Sequence, residues 1–400
     1  MTVFFSFLLH IYQPPVQLPF VVKKIADECY RPLVKALTDH DAGKITLNIN
    51  ATLTEQLYDY RLEDVIDGFK ELSEKKQVDF TGSGKFHPLL PLIPQPEIER
   101  QIRLNHETNR HFFGPTYSPK GFFPPELAVD PVILDPIRKT GHEWFIMSAI
   151  GNPDSVFPTT TTFQTSNGLR VIFRDDLISN DISFDRADVN SFFDRIKYRI
   201  HNEGTDEDYY VVVAQDGETY GHHVKHGFEK FFIPMLSALK HREDVQMVTV
   251  TELTRIFPRG VVIEPKPSSW STLSYDMDRK VGFPLWYEPG NRLHELQHKM
   301  LMRTMSLIYV AEKYAAGGTN DLLKNARNFL DRGSHSCMQW WASKRPWYSP
   351  DMIIRGLNEL ILAAVNAKRS LPPEESDIQG VFESAIHEIL EAHNTIIESL

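Results

Sequence analysis

Short apolar runs alternate with amphipathic segments through the first two thirds of the chain. The apolar runs predict buried strands, and they lie at residues 3–9, 44–50, 77–81, 121–126, 144–148, 169–173, 211–215 and 245–250. The amphipathic segments between them predict helices, for example around residues 25–37, 57–74 and up to about 113. Strands that alternate with helices indicate βα units and a parallel sheet. Seven or eight such units favour a closed barrel over an open sheet, although hairpins or extra edge strands would give the same pattern.

The pattern changes after Phe257. Residues 265–289 are rich in Pro, Ser and aromatic residues without a clear period, which predicts a loop or linker. From Asn291 onward, apolar residues recur at helix spacing, and this pattern continues through residues 321–329, 351–365 and 378–396. We therefore predict an α/β domain in residues 1–264, followed in residues 265–400 by a linker and a helical domain.

Polar residues follow the predicted strands at the points where the strands end. His10 and Gln13 follow the first strand, His87 follows the third, and Glu126 ends the fourth. Because the carboxyl ends of parallel strands form one face of a barrel, these side chains are expected on the same face. That face is where α/β folds place catalytic groups.

The strongest signal is the stretch 211–223, where a β-branched run changes into two acids, two glycines and two histidines. Asp216 stands directly at the strand end, and Gly217 and Gly221 allow the backbone to turn sharply. The stretch could simply be an acidic turn that caps the next helix. The position of Asp216 beside Glu218 and a histidine pair favours a functional site. We predict that Glu218 and Gln13 belong to the substrate-binding residues, with Glu218 as an acid that orients a histidine.

Two carboxylates at different strand ends of one barrel face can flank a glycosidic bond, and Glu126 and Asp216 are the natural pair. In retaining glycosidases the carboxyl groups lie roughly 5–5.5 Å apart; one attacks the anomeric carbon and the other protonates the leaving oxygen. The acid must stay protonated near neutral pH, which burial or the negative charge of the partner achieves.

The histidines allow two interpretations. His10, His87, His222 and His223 could hold loops together through hydrogen bonds, or they could bind sugar hydroxyls, which their predicted clustering favours. His222 and His226 have the spacing of two metal ligands on a helical turn. Without a nearby cysteine or an obvious third ligand, we predict that this is not a metal site.

An aromatic stretch interrupts the helical part at residues 339–348. It includes Trp340, Trp341, Lys344 and Trp347. These side chains could anchor helices to the barrel, or they could supply a stacking wall and cationic donors for a sugar chain. We expect a mixed role, with at least one ring near the cleft.

Composition narrows the class of protein. Hydrophobic content of 42% and charged content of 24% are typical of a soluble globular chain. The net charge of -10 argues against a nucleic-acid or anionic-membrane partner. The two cysteines, Cys29 and Cys337, give no disulfide framework and predict a reducing, cytoplasmic location. The N-terminal residues lack a basic start and a cleavage site, so we predict a first strand there rather than a signal peptide.

Several stretches of the chain resemble the motifs of family 57 glycoside hydrolases in order and spacing. The first motif, His-x-His-Gln-Pro, is similar to residues 10–14, with Tyr12 in the place of the second histidine. Residues 84–88 resemble the second motif, and residues 339–348 contain the fifth. Residues 121–126 and 216–222 resemble the third and fourth motifs.

This resemblance implies a fold and a mechanism. The fold is a distorted (β/α)7 barrel followed by an α-helical bundle. In the third and fourth motifs, the family's nucleophile falls on Glu126 and its general acid/base on Asp216. The implied activity is a retaining mechanism on α-glycosidic bonds without a metal or other cofactor. The implied substrate is an α-glucan or maltooligosaccharide, with α-1,4 linkages favoured, while nothing in the pattern is diagnostic of an oligomer.

Three function classes follow from these observations. The first is an α-amylase-like hydrolase or a 4-α-glucanotransferase, which differ in whether water or a sugar hydroxyl intercepts the glycosyl-enzyme. The second is a metal-dependent carbohydrate deacetylase on a related barrel, with a triad from His10, His222 and His226. The third is a glycan-binding protein without turnover.

Overall fold

The computed structural model describes residues 1–153, 159–201, 207–315, 320–345, 348–372 and 376–400. The chain divides into two compact units. The first contains residues 1–13, 17–85 and 94–270, and the second contains residues 14–16, 86–93 and 271–400. The second unit thus includes two short segments from the N-terminal half, which the sequence pattern does not predict.

The first unit is a distorted (β/α)7 barrel, which confirms the predicted fold class. Its strands are β1 (Val3–Ile11), β2 (Ile45–Ile49), β3 (Val78–Gly82), β4 (Gly121–Phe122), β5 (Trp144–Ser148), β6 (Thr162–Gln164), β7 (Arg170–Arg174), β8 (Tyr209–Asp216), β9 (Val245–Met247) and β10 (Arg259–Val262). Seven of them run parallel in the order β7-β5-β4-β3-β2-β1-β8. The amide of Asp175, just after β7, donates to the carbonyl of Val212 in β8 at 2.8 Å and joins the two ends of this series.

Three strands depart from the simple pattern. β6 pairs antiparallel with β7 and parallel with β10, so these two form an edge addition outside the seven. β9 pairs with the first residues of β1. The predicted strand at 245–250 is too long, because Thr249 begins a helix: its hydroxyl accepts from the amide of Glu252, whose carboxylate accepts from the amide of Thr249.

Helices follow most of the strands of the first unit. They are α1 (Pro19–Ile25), α2 (Arg31–Thr38), α3 (Ala51–Asp59), α4 (Glu63–Glu74), α5 (Gln95–Phe113), α6 (Leu134–Lys139), α7 (Asp176–Ser183), α8 (Val189–His201), α9 (Ile233–Leu239) and α10 (Val250–Ile256). A π-helical turn, Ala26–Tyr30, lies between α1 and α2, and the amide of Arg31 donates to the carbonyl of Ala26.

The strands separate two layers of apolar side chains. Residues such as Leu9 on β1 and Val213 on β8 belong to one cluster, together with apolar side chains of the surrounding helices. Leu8 and Ala214 belong to a second cluster inside the barrel. Because side chains alternate along a strand, residues two positions beyond Leu8 and Ala214 point into the barrel as well. Those residues are His10 and Asp216.

The second unit is helical. Its helices are α11 (Ser274–Asp278), α12 (Arg292–Tyr314), α13 (Asp321–Gly333), α14 (Cys337–Ala342), α15 (Pro350–Arg369) and α16 (Ser376–Ser399). Asn291 caps α12 through its side chain, which accepts from the amides of Leu293 and His294. The segment predicted as a linker contains the short helix α11. Within the described residues, no helix combines the length and the apolarity needed to cross a membrane.

Candidate active site

Glu126 is held in an uncommon backbone conformation at one end of the barrel. Pro124 and Pro125 stop β4 after two residues, because proline cannot donate to a strand ladder. Glu126 then has a φ of 62°, in the left-handed region. Such conformations in residues other than glycine cluster at functional sites, where the surrounding structure stabilises them.

Trp270 fixes the Glu126 side chain. Its indole Nε1 donates to Oε2 of Glu126 at 3.0 Å, and its backbone amide donates to the Glu126 carbonyl at 3.2 Å. The 265–270 segment is positioned by Ser268, which exchanges backbone hydrogen bonds with Val129 at 2.8 and 3.0 Å. The sequence pattern does not single out Trp270, which is one aromatic residue in the segment predicted as a loop.

His10 lies beside Asp216 in the sheet and contacts Trp270, the residue that binds Glu126. Its ring stacks on Phe123 at 4.7 Å between centroids, and it meets the ring of Trp270 edge-on at 6.1 Å. Its Nδ1 shares a hydrogen bond with Oδ1 of Asn48 at 2.6 Å. Burial lowers the pKa of His10, while the negative charge of Asp216 acts in the opposite direction. Desolvation therefore favours the neutral imidazole.

Asp216 is the last residue of β8 and the register partner of His10 on β1. Paired residues of parallel neighbours face the same side of a sheet, so both side chains point into the barrel. Burial lowers the pKa of His10 and of His223 and raises the pKa of Glu218, and the negative charge of Asp216 acts upward on all three, which places them within its electrostatic reach. Glycine is favoured at position 217, because a Cβ there would lie 2.5 Å from Cγ2 of Ile11. A chain of neighbours therefore connects Glu126, through Trp270 and His10, to Asp216.

Glu218 is buried, with 4% of its surface exposed, and its partners differ from those predicted. Oε1 accepts from the hydroxyl of Tyr30 at 2.6 Å, from the amide of Tyr12 at 3.2 Å and from Nε2 of Gln13 at 3.5 Å. None of these partners of Oε1 is a histidine, whereas the sequence predicts that Glu218 orients one. Burial, with the charge of Asp216, raises the pKa of Glu218 to about 8.

Gln13 belongs to the same cluster. Its Nε2 lies 3.5 Å from the Tyr30 hydroxyl, and its Oε1 accepts from Nε2 of Gln17 at 3.1 Å. The side chain is buried, at 7% exposure. Gln13 and Glu218 are therefore held together beside Tyr30.

His222 and His223 lie after Asp216, with ring centroids 5.4 Å apart. Nδ1 of His222 pairs with Oε2 of Glu28 at 2.7 Å. Partial desolvation lowers the pKa of His223, and the charge of Asp216 opposes that change. The triad needed for a deacetylase is not assembled: among the described residues no group of three or more His, Cys, Asp or Glu side chains is arranged to hold a metal ion.

The remaining predicted residues belong to the second unit. His87 has a φ of 58°, and its Nδ1 shares a hydrogen bond with Oγ of Ser336 at 2.9 Å. Trp340 and Trp341 are half-buried and meet edge-on at 6.0 Å. Lys344 is exposed, and its Nζ lies 5.0 Å from the ring centroid of Tyr348. Trp347 lies outside the described residues.

The model of glycosyl hydrolase family 57 matches residues 10–265, which is more than half of the chain. The chain belongs to glycosyl hydrolase family 57. This match spans Glu126, Asp216 and His10.

Relatives and solved structures agree with this family membership. The family 57 chain is 25% identical over 306 residues to an alpha-amylase of Pyrococcus horikoshii, covering 73% of this chain and 46% of the relative. It thus spans less than half the length of that protein. Its fold is similar to the crystal structure of the Thermococcus litoralis 4-alpha-glucanotransferase, with a TM-score of 0.73 at 17% identity over 93% of this chain and 60% of that one. A family 57 branching enzyme from Pyrococcus horikoshii gives a TM-score of 0.72 at 18% identity, covering 98% and 94% of the two chains.

Proposed function

We propose that this family 57 chain is a retaining glycoside hydrolase or glycosyltransferring enzyme that acts on α-glucans. The observation that carries the proposal is the chain of contacts from Glu126 through Trp270 and His10 to Asp216, at one end of the barrel. Retaining catalysis needs two carboxyl groups on the same sugar linkage, one as nucleophile and one as acid/base.

In the proposed mechanism, Glu126 attacks the anomeric carbon while Asp216 donates its proton to the leaving glycosidic oxygen. Asp216 then removes a proton from the incoming acceptor, which displaces Glu126 and releases the sugar with its original anomeric configuration. Trp270 holds Oε2 of Glu126 through the indole N–H. This hydrogen bond orients the second carboxylate oxygen for attack.

The other predicted residues would bind or support the substrate. We propose that His10, His222 and His223 offer ring nitrogens to sugar hydroxyls. Gln13 and Glu218 would support the loop around Asp216, since their polar atoms already bond to each other and to Tyr30. In the second unit we propose that His87, Trp340, Trp341 and Lys344 contact the glucan, the two indoles by stacking on sugar rings.

The substrate class rests on the named relatives. An alpha-amylase and a 4-alpha-glucanotransferase are among the proteins that this chain resembles, so we propose an α-glucan with α-1,4 linkages. A cytoplasmic location stays a prediction from the cysteine usage. Water as acceptor gives hydrolysis, and a sugar hydroxyl gives transfer.

The experiment is a product analysis with a maltooligosaccharide of single length. Chromatography over time will give only shorter chains if the reaction is hydrolysis, and both longer and shorter chains if it is transfer. Glu126→Gln should abolish either activity, because the amide keeps the shape but cannot act as the nucleophile. Glu143→Gln is the control, since this exposed acid pairs with Lys120. Undiminished turnover in Glu126→Gln would refute the assignment.

A further inference from the structure

The π-helical turn Ala26–Tyr30 contacts the loop that follows Asp216. In a regular α-helix, residues on one face are three or four positions apart. Here three consecutive residues, Glu28, Cys29 and Tyr30, all bond to residues 217–222. Such π-turns are rare within helices and occur frequently at functional sites.

The two buried contacts lie closest to Asp216. Sγ of Cys29 donates to the carbonyl of Gly217 at 3.0 Å, and the hydroxyl of Tyr30 donates to Oε1 of Glu218 at 2.6 Å. Cys29 and Tyr30 are both 0% exposed. The two residues that directly follow Asp216 are therefore each held by a buried side chain of the π-helical turn.

The third contact lies further along the same loop. The Glu28 carboxylate accepts from Lys225 at 3.0 Å and pairs with Nδ1 of His222 at 2.7 Å. Gly221 has a φ of 116°, and a Cβ at this position would overlap the carbonyl oxygen of Glu28. The loop backbone and the π-helical turn are thus in direct contact.

This arrangement matters because β8 ends at Asp216. Pairing with β1 fixes the strand up to that residue, whereas the residues after it have no strand ladder. General acid catalysis requires the proton donor within hydrogen-bond reach of the leaving oxygen. A displacement of about 1 Å costs on the order of a hundredfold in rate.

We propose that the π-helical turn is a positioning element for the acid/base, with Tyr30 as its main positioning residue, acting through Glu218 and the loop backbone. The inference rests on the proposed function, in which Asp216 protonates the leaving glycosidic oxygen. Loss of the Tyr30 hydroxyl then weakens proton donation specifically. Attack by Glu126 is left intact.

The test compares two substrates that differ in their need for a proton. The glycosidic oxygen of a maltooligosaccharide must be protonated as it leaves, whereas fluoride leaves α-maltosyl fluoride with far less assistance. The measurement is kcat/KM for each, because this constant reports the glycosylation step. Tyr30→Phe should lower kcat/KM for the maltooligosaccharide about tenfold more than kcat/KM for the fluoride. This factor is smaller than the whole contribution of general acid catalysis, because Asp216 is still present but less well positioned. Asp216→Asn should shift the ratio in the same direction and further.

Tyr209→Phe is the matched control. Its hydroxyl donates to the carbonyl of Ile196 at 2.6 Å, and it is a buried tyrosine at the opposite end of the same strand β8. Tyr209→Phe removes an equally short buried hydrogen bond and should leave the ratio of the two kcat/KM values unchanged. Glu28→Gln is a second test variant at a less buried position, and it should shift the ratio in the same direction by about threefold.

The outcomes separate the inference from the function on which it rests. Wild-type protein that cleaves neither substrate, or an unchanged ratio in Asp216→Asn, would contradict the proposed function itself. A shifted ratio in Asp216→Asn with an unchanged ratio in Tyr30→Phe would overturn the positioning role. If Tyr30→Phe does not fold, an unchanged ratio in Glu28→Gln overturns it instead. A shift of equal size in Tyr209→Phe would show a general effect of lost stability, and would also overturn it.

Discussion

Glu218 gives the sharpest prediction about stability. The buried carboxyl accepts from Tyr30 and Tyr12, and its pKa is raised to about 8 by burial and by the charge of Asp216. Glu218→Gln keeps the shape of the side chain and the accepting oxygen. It removes the ionisation, so the variant isolates the contribution of one titrating group.

The free energy of unfolding depends on pH because the pKa of Glu218 differs between the folded and the unfolded chain. The unfolded chain releases the Glu218 proton near pH 4.5, while the folded protein keeps it until about pH 8. Stability from this group is therefore complete below pH 4.5, and it is lost as the pH rises toward 8. The difference between the two pKa values corresponds to about 5 kcal/mol, at about 1.4 kcal/mol for each pH unit. Between about pH 5 and about pH 8.5 the contribution of Glu218 to the free energy of unfolding should change by roughly 4 kcal/mol.

Urea unfolding of wild type and Glu218→Gln at these two pH values provides the assay. Other titrating groups are common to both proteins, so they cancel in the difference. The free energy of unfolding of Glu218→Gln, relative to that of wild type, should rise by several kcal/mol from the lower to the higher pH. In an Asp216→Asn background the gain should shrink, because the second cause of the raised pKa is removed. A relative free energy of unfolding that changes by less than about 1 kcal/mol between the two pH values would contradict a raised pKa of Glu218.

Three further predictions concern single side chains. Trp270→Phe removes the N–H bound to Glu126, and kcat/KM should fall about tenfold, since hydrogen bonds to charged groups contribute about 1.5–3 kcal/mol; an unchanged rate would contradict the role of Trp270. Gly221→Ala should destabilise more than Gly141→Ala in thermal unfolding, because both have positive φ but only the first lacks space for a Cβ; equal losses would contradict this. His335 is buried and its pKa is lowered to about 3, so stability should fall as the pH drops from 6.5 toward 3. In urea unfolding, the free energy of unfolding of His335→Leu should fall by about 3 kcal/mol less than that of wild type between about pH 7 and about pH 4. Identical losses would contradict the lowered pKa of His335.

The sequence predicted the parts of the fold that local patterns determine. The β-branched run before Asp216 is strand β8, and the alternation of apolar positions correctly indicated parallel βα units. The predicted C-terminal end of the strand at 245–250 is wrong, because a capping box at Thr249 starts a helix there. In the sequence, a capping box is a less visible signal than the apolar run that it interrupts. The edge strands β6 and β10 were missed because each has only three or four residues.

The contacts that organise the candidate site were less accessible to sequence reasoning. Trp270 reaches Glu126 across 144 positions, and Tyr30 reaches Glu218 across 188. Neither has a local signal, because these contacts depend on how the barrel closes. The partner of Glu218 was predicted to be a histidine, whereas Oε1 bonds to a tyrosine, a backbone amide and a glutamine.

In the proposed mechanism, Glu126 forms a covalent bond with the sugar while Asp216 transfers the proton. A fluorinated glucosyl fluoride slows release of the covalent intermediate, so incubation with this reagent followed by peptide mass spectrometry locates the bond. We predict a glycosyl adduct on the peptide that contains Glu126, and its absence in Glu126→Gln. An adduct on another residue, or turnover of the reagent without any adduct, would contradict the role of Glu126 as nucleophile.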